Sequence, residues 1–284
     1  MSVAIIQGAS GSIGFALAQH ILRHTNLSVY ALTHQPKSQE TELSERIFQG
    51  SNIKDKERLS VLGEIDISEE RGLQDAAKLV EEREGKDKVR LITCMAGILH
   101  AEKSLSSIDP SKALRQFQIN TLGHLLTYKH FVPLIPSKKN FEKLSSEWSS
   151  SGDPAKGLVH SRNSLCLSMS ARVGSISDNE RGGWYSYRAS KAATNQITRT
   201  LEHELINKNS SALAIGYHPG TVITSFTKPV IGENAKPDPS NGRFDLKQAI
   251  DKMTNVMSKA KRHDDANEKW GGRCFDWKGE RIQW

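Results

Sequence analysis

The sequence predicts an α/β fold: a doubly wound parallel sheet of about seven strands with helices on both faces, in a single domain over residues 1–284. Two observations predict it. Short apolar runs alternate with longer amphipathic stretches through the first two thirds of the chain, the rhythm of strands joined by crossover helices. The first apolar run also passes directly into a glycine-rich turn that opens a helix. A chain of 284 residues can bury one large core, and 37% hydrophobic with 25% charged residues excludes collagen-like, coiled-coil and fully disordered chains.

The apolar runs place strands at Val3–Gln7, Ser28–Thr33, Leu59–Asp66, Val89–Met95, Asn163–Ser170 and Ala212–Tyr217. The helical periodicities cover Ser12–His24, Glu69–Arg83, Pro110–Phe131 and Tyr185–Asn207. Two segments break the rhythm. Ser137–Arg162 is serine-rich and weakly apolar, which predicts a polar surface insertion over 137–162. Lys228–Arg243 carries Pro229, Pro237 and Pro239, which predicts an irregular substrate-side flap within 220–244.

The net charge of +7 admits a phosphate-bearing small molecule. It does not point to a dedicated nucleic-acid partner, because the cations are scattered and only Lys259–Arg262 is a tight basic cluster, with no interleaved aromatics. No apolar run approaches the roughly 20 residues of a membrane span, and the first apolar segment begins at Val3 without a charged leader, so a cytoplasmic protein is expected. Cys94, Cys166 and Cys274 are widely spaced with no CxxC, which indicates neither a disulfide framework nor a metal site.

Gly8-Ala9-Ser10-Gly11-Ser12-Ile13-Gly14 lies between the first strand and the first helix. That geometry aims backbone N–H groups and the positive helix end at a pyrophosphate. Gly8 allows the tight turn, Gly14 the close approach of helix to strand, and Ser10, Ser12 and Ile13 line the phosphate path. Read alone, the loop is equally an ordinary strand-to-helix turn. The missing Lys-Ser/Thr disfavours a P-loop, and the β/α context favours a dinucleotide. The second strand ends Ala31-Leu32-Thr33-His34-Gln35, with Lys37 nearby and no acid to repel a 2′-phosphate, so NADP(H) is preferred over NAD(H), which stays possible.

Tyr187 and Lys191 stand four apart at the start of a long helix and share one face. An ammonium beside a phenol lowers a pKa normally near 10, making the tyrosine a usable general acid or base. Here the sequence resembles the short-chain dehydrogenase/reductase superfamily, a single-domain Rossmann fold, over nearly its whole length. The resemblance rests on the glycine loop, on Tyr187-Arg-Ala-Ser-Lys191, on Asp66-Ile67-Ser68, on Cys94-Met-Ala96-Gly97, on Ile119-Asn120-Thr-Leu-Gly123, on Ser170 and on Pro219-Gly220-Thr-Val222-Ile-Thr224. Ser170 to Asn179, Gly183 to Lys191 and the ending Gly279 to Trp284 resemble its C-factor-like branch.

The resemblance implies an NADP-dependent oxidoreductase that moves a hydride between nicotinamide C4 and a carbonyl or secondary alcohol. Tyr187 would be the general acid/base, Lys191 would bind the nicotinamide ribose, and Asn120 would hold a relay water. Ser170 would donate to the substrate oxygen, with Ser168 and Ser175 as rivals because Ala171 occupies the family's usual serine offset before Gly174. Asp66 and Ile67 would meet the adenine, Ala96 and Gly97 the cofactor path, and Pro219, Gly220, Val222 and Thr224 the nicotinamide carboxamide. Ser12 replaces the family's middle glycine, and Cys94 an asparagine. The resemblance further implies a homodimer or homotetramer acting on a small-molecule carbonyl or alcohol. The alternative is a cofactor-binding regulatory or signalling protein of the same fold with little turnover.

Overall fold

The structure, a computed structural model, describes residues 2–49, 56–149, 152–262 and 270–284. β1 (Val3–Gln7) is buried at every position and feeds α1 (Ser12–His24). β2 (Ser28–Leu32), α2 (Glu40–Phe48), β3 (Leu59–Leu62), α3 (Glu70–Glu84) and β4 (Val89–Cys94) complete the first half. There follow α4 (Pro110–Phe117), capped by the Asp109 carboxylate, a π-helical stretch at Gln118–Leu122, and α5 (Gly123–Phe131). α6 (Lys138–Ser146), β5 (Ser164–Met169), α7 (Tyr185–Asn207) and β6 (Ala212–His218) come next. The last elements are β7 (Thr221–Val222), α8 (Lys228–Ile231), β8 (Arg243–Phe244), α9 (Leu246–Lys259), β9 (Arg273–Asp276) and β10 (Arg281–Ile282).

The main sheet runs β3-β2-β1-β4-β5-β6-β9-β10, parallel throughout except for the β9/β10 pair. It holds eight strands rather than about seven because a two-residue antiparallel β10 pairs with β9 at the edge. The chain starts in the middle at β1, winds out to β3, then crosses back to β4 and winds the other way. The carboxyl ends of β1 and β4 therefore diverge into a crevice.

Alternate strand residues bury on opposite faces, so the sheet has two cores. Ile6, Leu91, Leu165 and Leu213 pack with Leu17 and Ile21 of α1 and Met253 and Met257 of α9. Ile5, Ile92, Cys166 and Ala214 pack with Leu73 and Val80 of α3, Phe131 of α5 and Leu201 and Leu205 of α7. α9 was not expected from the sequence, yet its Asp245/Gln248 capping box and the spacing of Ala249, Ile250, Met253, Val256 and Met257 account for it.

The segment 137–162 departs from the expectation of a loose polar excursion. Ser137 caps α6, and Phe141 is buried. The guanidinium of Arg90, itself 1% exposed, lies 4.7 Å from the ring centroids of both Phe141 and Trp148 and pairs with Asp153 at 3.2 Å. Ala155, Leu158 and Val159 join the α1/α9 core. A few apolar anchors and one buried arginine thus fix a segment whose average composition is polar. Phe141→Ala should lower unfolding stability by about 3 kcal/mol or more, read from urea denaturation; a loss below about 1 kcal/mol would restore the surface-insertion reading.

Candidate active site

The crevice at the β1/β4 divergence is a cleft of about 1100 Å³. Every sequence-predicted site residue lines it except Asn120, which is fully buried behind it. One end is built on the Gly8–Gly14 loop. A Cβ on Gly14 would sit 2.3 Å from the Gly8 carbonyl oxygen, and a Cβ on Gly8, whose φ is +85°, would sit 2.7 Å from the Ala96 nitrogen. Only glycine lets α1 approach β1 and β4 this closely. No side chain caps α1, so its amino end faces the cleft ready for an anion. This cradle fits a dinucleotide pyrophosphate.

At the outer end, Thr33 turns its hydroxyl inward onto Ser10 at 2.8 Å, and His34 lines the cleft. Lys37 does not: it points to Glu64 at 3.9 Å, so of the two only His34 lines the cleft at the end of β2. Asp66 accepts from the Ser68 hydroxyl at 2.6 Å and from Arg115 of α4 at 3.2 Å. Burial acts to raise the Asp66 pKa, but these hydrogen bonds and the Arg115 charge outweigh it and hold the carboxyl below its usual range. The sequence reading missed Arg115, because nothing in α4's own pattern points at a residue in the loop between β3 and α3.

At the inner end the π-helical stretch carries Asn120. Its Oδ1 accepts from Ile98 N–H at 2.8 Å, its Nδ2 donates to Ile98 O at 3.0 Å and Ser190 Oγ at 3.1 Å, and its backbone carbonyl accepts from Thr194 at 2.7 Å. Asn120 thereby joins the loop after β4 to α7. A Cβ on Gly97 would meet Asn120 Oδ1 at 3.2 Å and Lys191 Nζ at 3.6 Å, so the glycine keeps this corner open.

Lys191, 2% exposed, donates to Met169 O at 2.7 Å, and its Nζ lies 5.9 Å from the Tyr187 ring centroid. Burial lowers its pKa from the usual 10.5 to about 8. The expected depression of the Tyr187 pKa is not what this arrangement produces. The phenol is 7% exposed, and burial pushes it above its ordinary value, so it holds its proton across the neutral range.

Ser170 lines the cleft but donates its hydroxyl to Asn195 Oδ1 at 2.6 Å. Ser168 bonds Tyr128 at 2.8 Å and Ser175 lies near Ser177 at 3.3 Å, and neither lines the cleft. The Cys94 thiol is buried and pushed up to about 12, an inert core group. Among the described residues no group of three or more His, Cys, Asp or Glu could hold a metal ion.

No protein-family model matches the chain. It is 31% identical over 202 residues, 71% of its length, to 1-hydroxy-2-glutathionyl-2-methyl-3-butene dehydrogenase of Rhodococcus sp. (strain AD45), covering 76% of that protein. The chain belongs to the short-chain dehydrogenase/reductase superfamily, as a nicotinamide-dependent enzyme. It is also 26% identical over 189 residues to C-signal of Myxococcus xanthus, across 66% of this chain and 89% of that one. An NADPH-bound carbonyl reductase from chicken fatty liver superposes over 100% of both chains with a TM-score of 0.75 at 22% identity, a likeness of fold.

Besides Arg115, one further feature of this superfamily member escaped the sequence reading. Trp184 lines the cleft in a left-handed conformation, φ +53° and ψ 43°, straight after Gly182 and Gly183 at positive φ. Such backbone costs about 1–3 kcal/mol for a bulky residue, and the double glycine was its only signal. The flap brings Phe226, Val230 and Ile231 to the same cleft.

Two outcomes follow from this geometry. Gly14→Ala should weaken NADPH binding by about tenfold or more, because the phosphate-facing amides depend on that approach; unchanged affinity in a fluorescence titration would show that the loop is not the cradle. Lys191 sheds its proton near pH 8 when folded and near 10.5 when unfolded. Its burial penalty is therefore fully present below about pH 8 and is relieved as pH rises from there to about 10.5. Lys191→Met should remove this stability increment between about pH 7 and pH 10, measured as the shift in urea midpoint relative to the parent chain.

Proposed function

We propose that the protein is an NADP-dependent carbonyl reductase in which Tyr187 is the general acid. One observation carries the reading: a buried phenol stands beside a buried ammonium, one helical turn apart on α7, on the wall of the glycine-loop cleft. A protonated phenol suits reduction, where the substrate oxygen needs a proton as its carbon is reduced. When bound, the dinucleotide supplies the hydride, so that the carbonyl becomes an alcohol and the nicotinamide is oxidised.

The roles fall to the chain's own residues. Gly8, Ser10, Ser12, Ile13 and Gly14 hold the pyrophosphate, and His34 meets the 2′-phosphate. Asp66 and Ile67, with Arg115 bridging to the Asp66 carboxylate, enclose the adenine. Lys191 turns from the Met169 carbonyl to the nicotinamide ribose, with Ala96 and Gly97 leaving room for it, and the 219–224 segment borders the carboxamide. Asn120 holds this corner in place and orders the relay water. Ser170, the one of the three candidate serines that lines the cleft, supplies the substrate-oxygen donor once its hydroxyl leaves Asn195. The NADPH-bound structural neighbour supports the choice of NADP, as does a β2 end without an acid.

A second reading, a cofactor-binding regulatory protein with little turnover, is favoured by that same Ser170–Asn195 bond, which turns the donor away from the cleft. Exposed Leu114, Phe117 and Leu125 on α4 and α5 support a homodimer. Cys94, Cys166 and Cys274 are free and buried, which suits the reducing cytoplasm, and no helix among the described residues is long and apolar enough to cross a membrane.

Tyr187→Phe should cut NADPH-dependent aldehyde reduction by about 100-fold or more while leaving the NADPH dissociation constant within about threefold. Activity within a few-fold of the parent would remove Tyr187 from the role. NADPH binding by the parent with no turnover of any aldehyde or ketone would favour the regulatory reading.

A further inference from the structure

We propose that the inner cleft is built for a neutral carbonyl with a flat apolar body, an aryl aldehyde or ketone, and that Trp184 is the residue that selects it; the proposal rests on the reductase reading above. Three consecutive residues, Gly182, Gly183 and Trp184, are held at positive φ. A bulky side chain persists in that conformation only when its surroundings impose it, and here they do so from two sides. Trp184 N–H donates to the Glu102 carbonyl at 2.6 Å. The Arg188 guanidinium donates to the carbonyls of Gly183 at 3.0 Å and Gly182 at 3.1 Å.

Glu102 is itself fixed. Its carboxylate accepts from the Ser186 hydroxyl, which accepts from Gln116, whose Oε1 takes the His100 N–H at 2.9 Å. All of this pins a backbone distortion whose product is the indole set edge-on to the Tyr187 ring, centroids 6.0 Å apart, in the cleft wall.

The flap supplies more apolar wall. Phe226 and Val230 are 39% and 43% exposed, and both line this cleft with Ile231. An apolar body reaching Tyr187 meets the Trp184 ring set against it, and offset or edge-on aromatic contact favours a flat ring over a short aliphatic chain. The cations decide charge. Arg172 is paired with Asp178 at 3.2 Å and Asp276 at 3.0 Å, and Arg188 is engaged by backbone carbonyls. Arg181 and the adjacent Glu180 both line the cleft and bring opposite charges to it. Lys191 serves the cofactor in the reading above. A carboxylate on the substrate would therefore lose water and find no dedicated partner.

The test compares kcat/KM with NADPH for benzaldehyde, propanal and 4-carboxybenzaldehyde, using the full chain, its Trp184→Ala and Trp184→Phe variants, and Phe226→Ala. Benzaldehyde should exceed each of the others by about tenfold or more. Trp184→Ala should erase the advantage over propanal and Trp184→Phe should keep most of it. Equal turnover of propanal or 4-carboxybenzaldehyde by the parent, or a preference that survives Trp184→Ala, overturns the proposal. Should Trp184→Ala fail to fold, Phe226→Ala carries the same expectation and the same refutation. Saturation-transfer NMR of benzyl alcohol on the NADP⁺ complex separates the two readings. Binding without reduction of any aldehyde sinks the reductase and keeps the selectivity, whereas turnover of propanal without benzyl alcohol binding does the reverse.

Discussion

The structure depends on one contact that contains no side chain. Gly14 rests against Gly8 so closely that a single Cβ would fall 2.3 Å from a carbonyl oxygen, and Gly8 in turn touches the backbone of Ala96. Three pieces of main chain from β1, α1 and the end of β4 meet at the point where the sheet changes winding direction. Because the contact is backbone on backbone, it cannot be loosened by a rotamer change. It sets the direction of α1 and hence the place where an anion can be held. The cleft is a consequence of topology at this point, and the surrounding side chains line what the main chain has already opened.

The inner end depends on a different kind of order. α7 carries Tyr187 and Lys191, and it is tied to the neighbouring segments by buried polar groups rather than by apolar packing alone. Asn120 bonds Ile98 and Ser190, Thr194 bonds the Asn120 carbonyl, and Ser170 bonds Asn195. A buried polar group is tolerated only when paired, so each bond removes alternative positions for the elements it joins. The π-helical stretch at Gln118–Leu122 lies where this network is densest, as helix irregularities do near functional groups. The same burial that orders Tyr187 and Lys191 moves their proton affinities in opposite directions: the phenol holds its proton more tightly and the ammonium less so.

How much of this was legible in the sequence follows from what kind of information each feature uses. The four helices expected from the periodicity are observed nearly in place, α1 and α7 with their terminal residues, because each buries one face and shows it as a 3.6-residue period. The cleft-lining residues were legible because the glycine loop and the Tyr-x-x-x-Lys spacing express local geometry. Long-range partners were not. Arg115 acts on Asp66 and Arg90 is gripped by Phe141 and Trp148 across distances in sequence that no periodicity spans. Segment 137–162 misled for the same reason, since its polar average hides the few residues that do the anchoring. Lys37, charged and well placed along the chain, was drawn off by Glu64. The direction of a hydroxyl, such as that of Ser170, is decided by neighbours only the fold brings together.

Trp184 shows what the fold spends strain on. Its left-handed backbone is unfavourable locally, and the neighbouring glycines lower the cost of the turn without removing it at the tryptophan. A core position would relax such a conformation by drifting. Here drift is blocked because the flanking carbonyls are held by Arg188 of α7 and the amide by Glu102, whose carboxylate is bonded to Ser186 of α7. The strain is thus supported by the same buried polar bonds that order Tyr187. The Trp184 ring and the Tyr187 phenol are consequently held together: a change that loosened Glu102 or Arg188 would move both. The start of α7 thus ties the position of the Trp184 ring to that of Tyr187, whereas the Gly8–Gly14 turn is held by a contact that shares none of these residues.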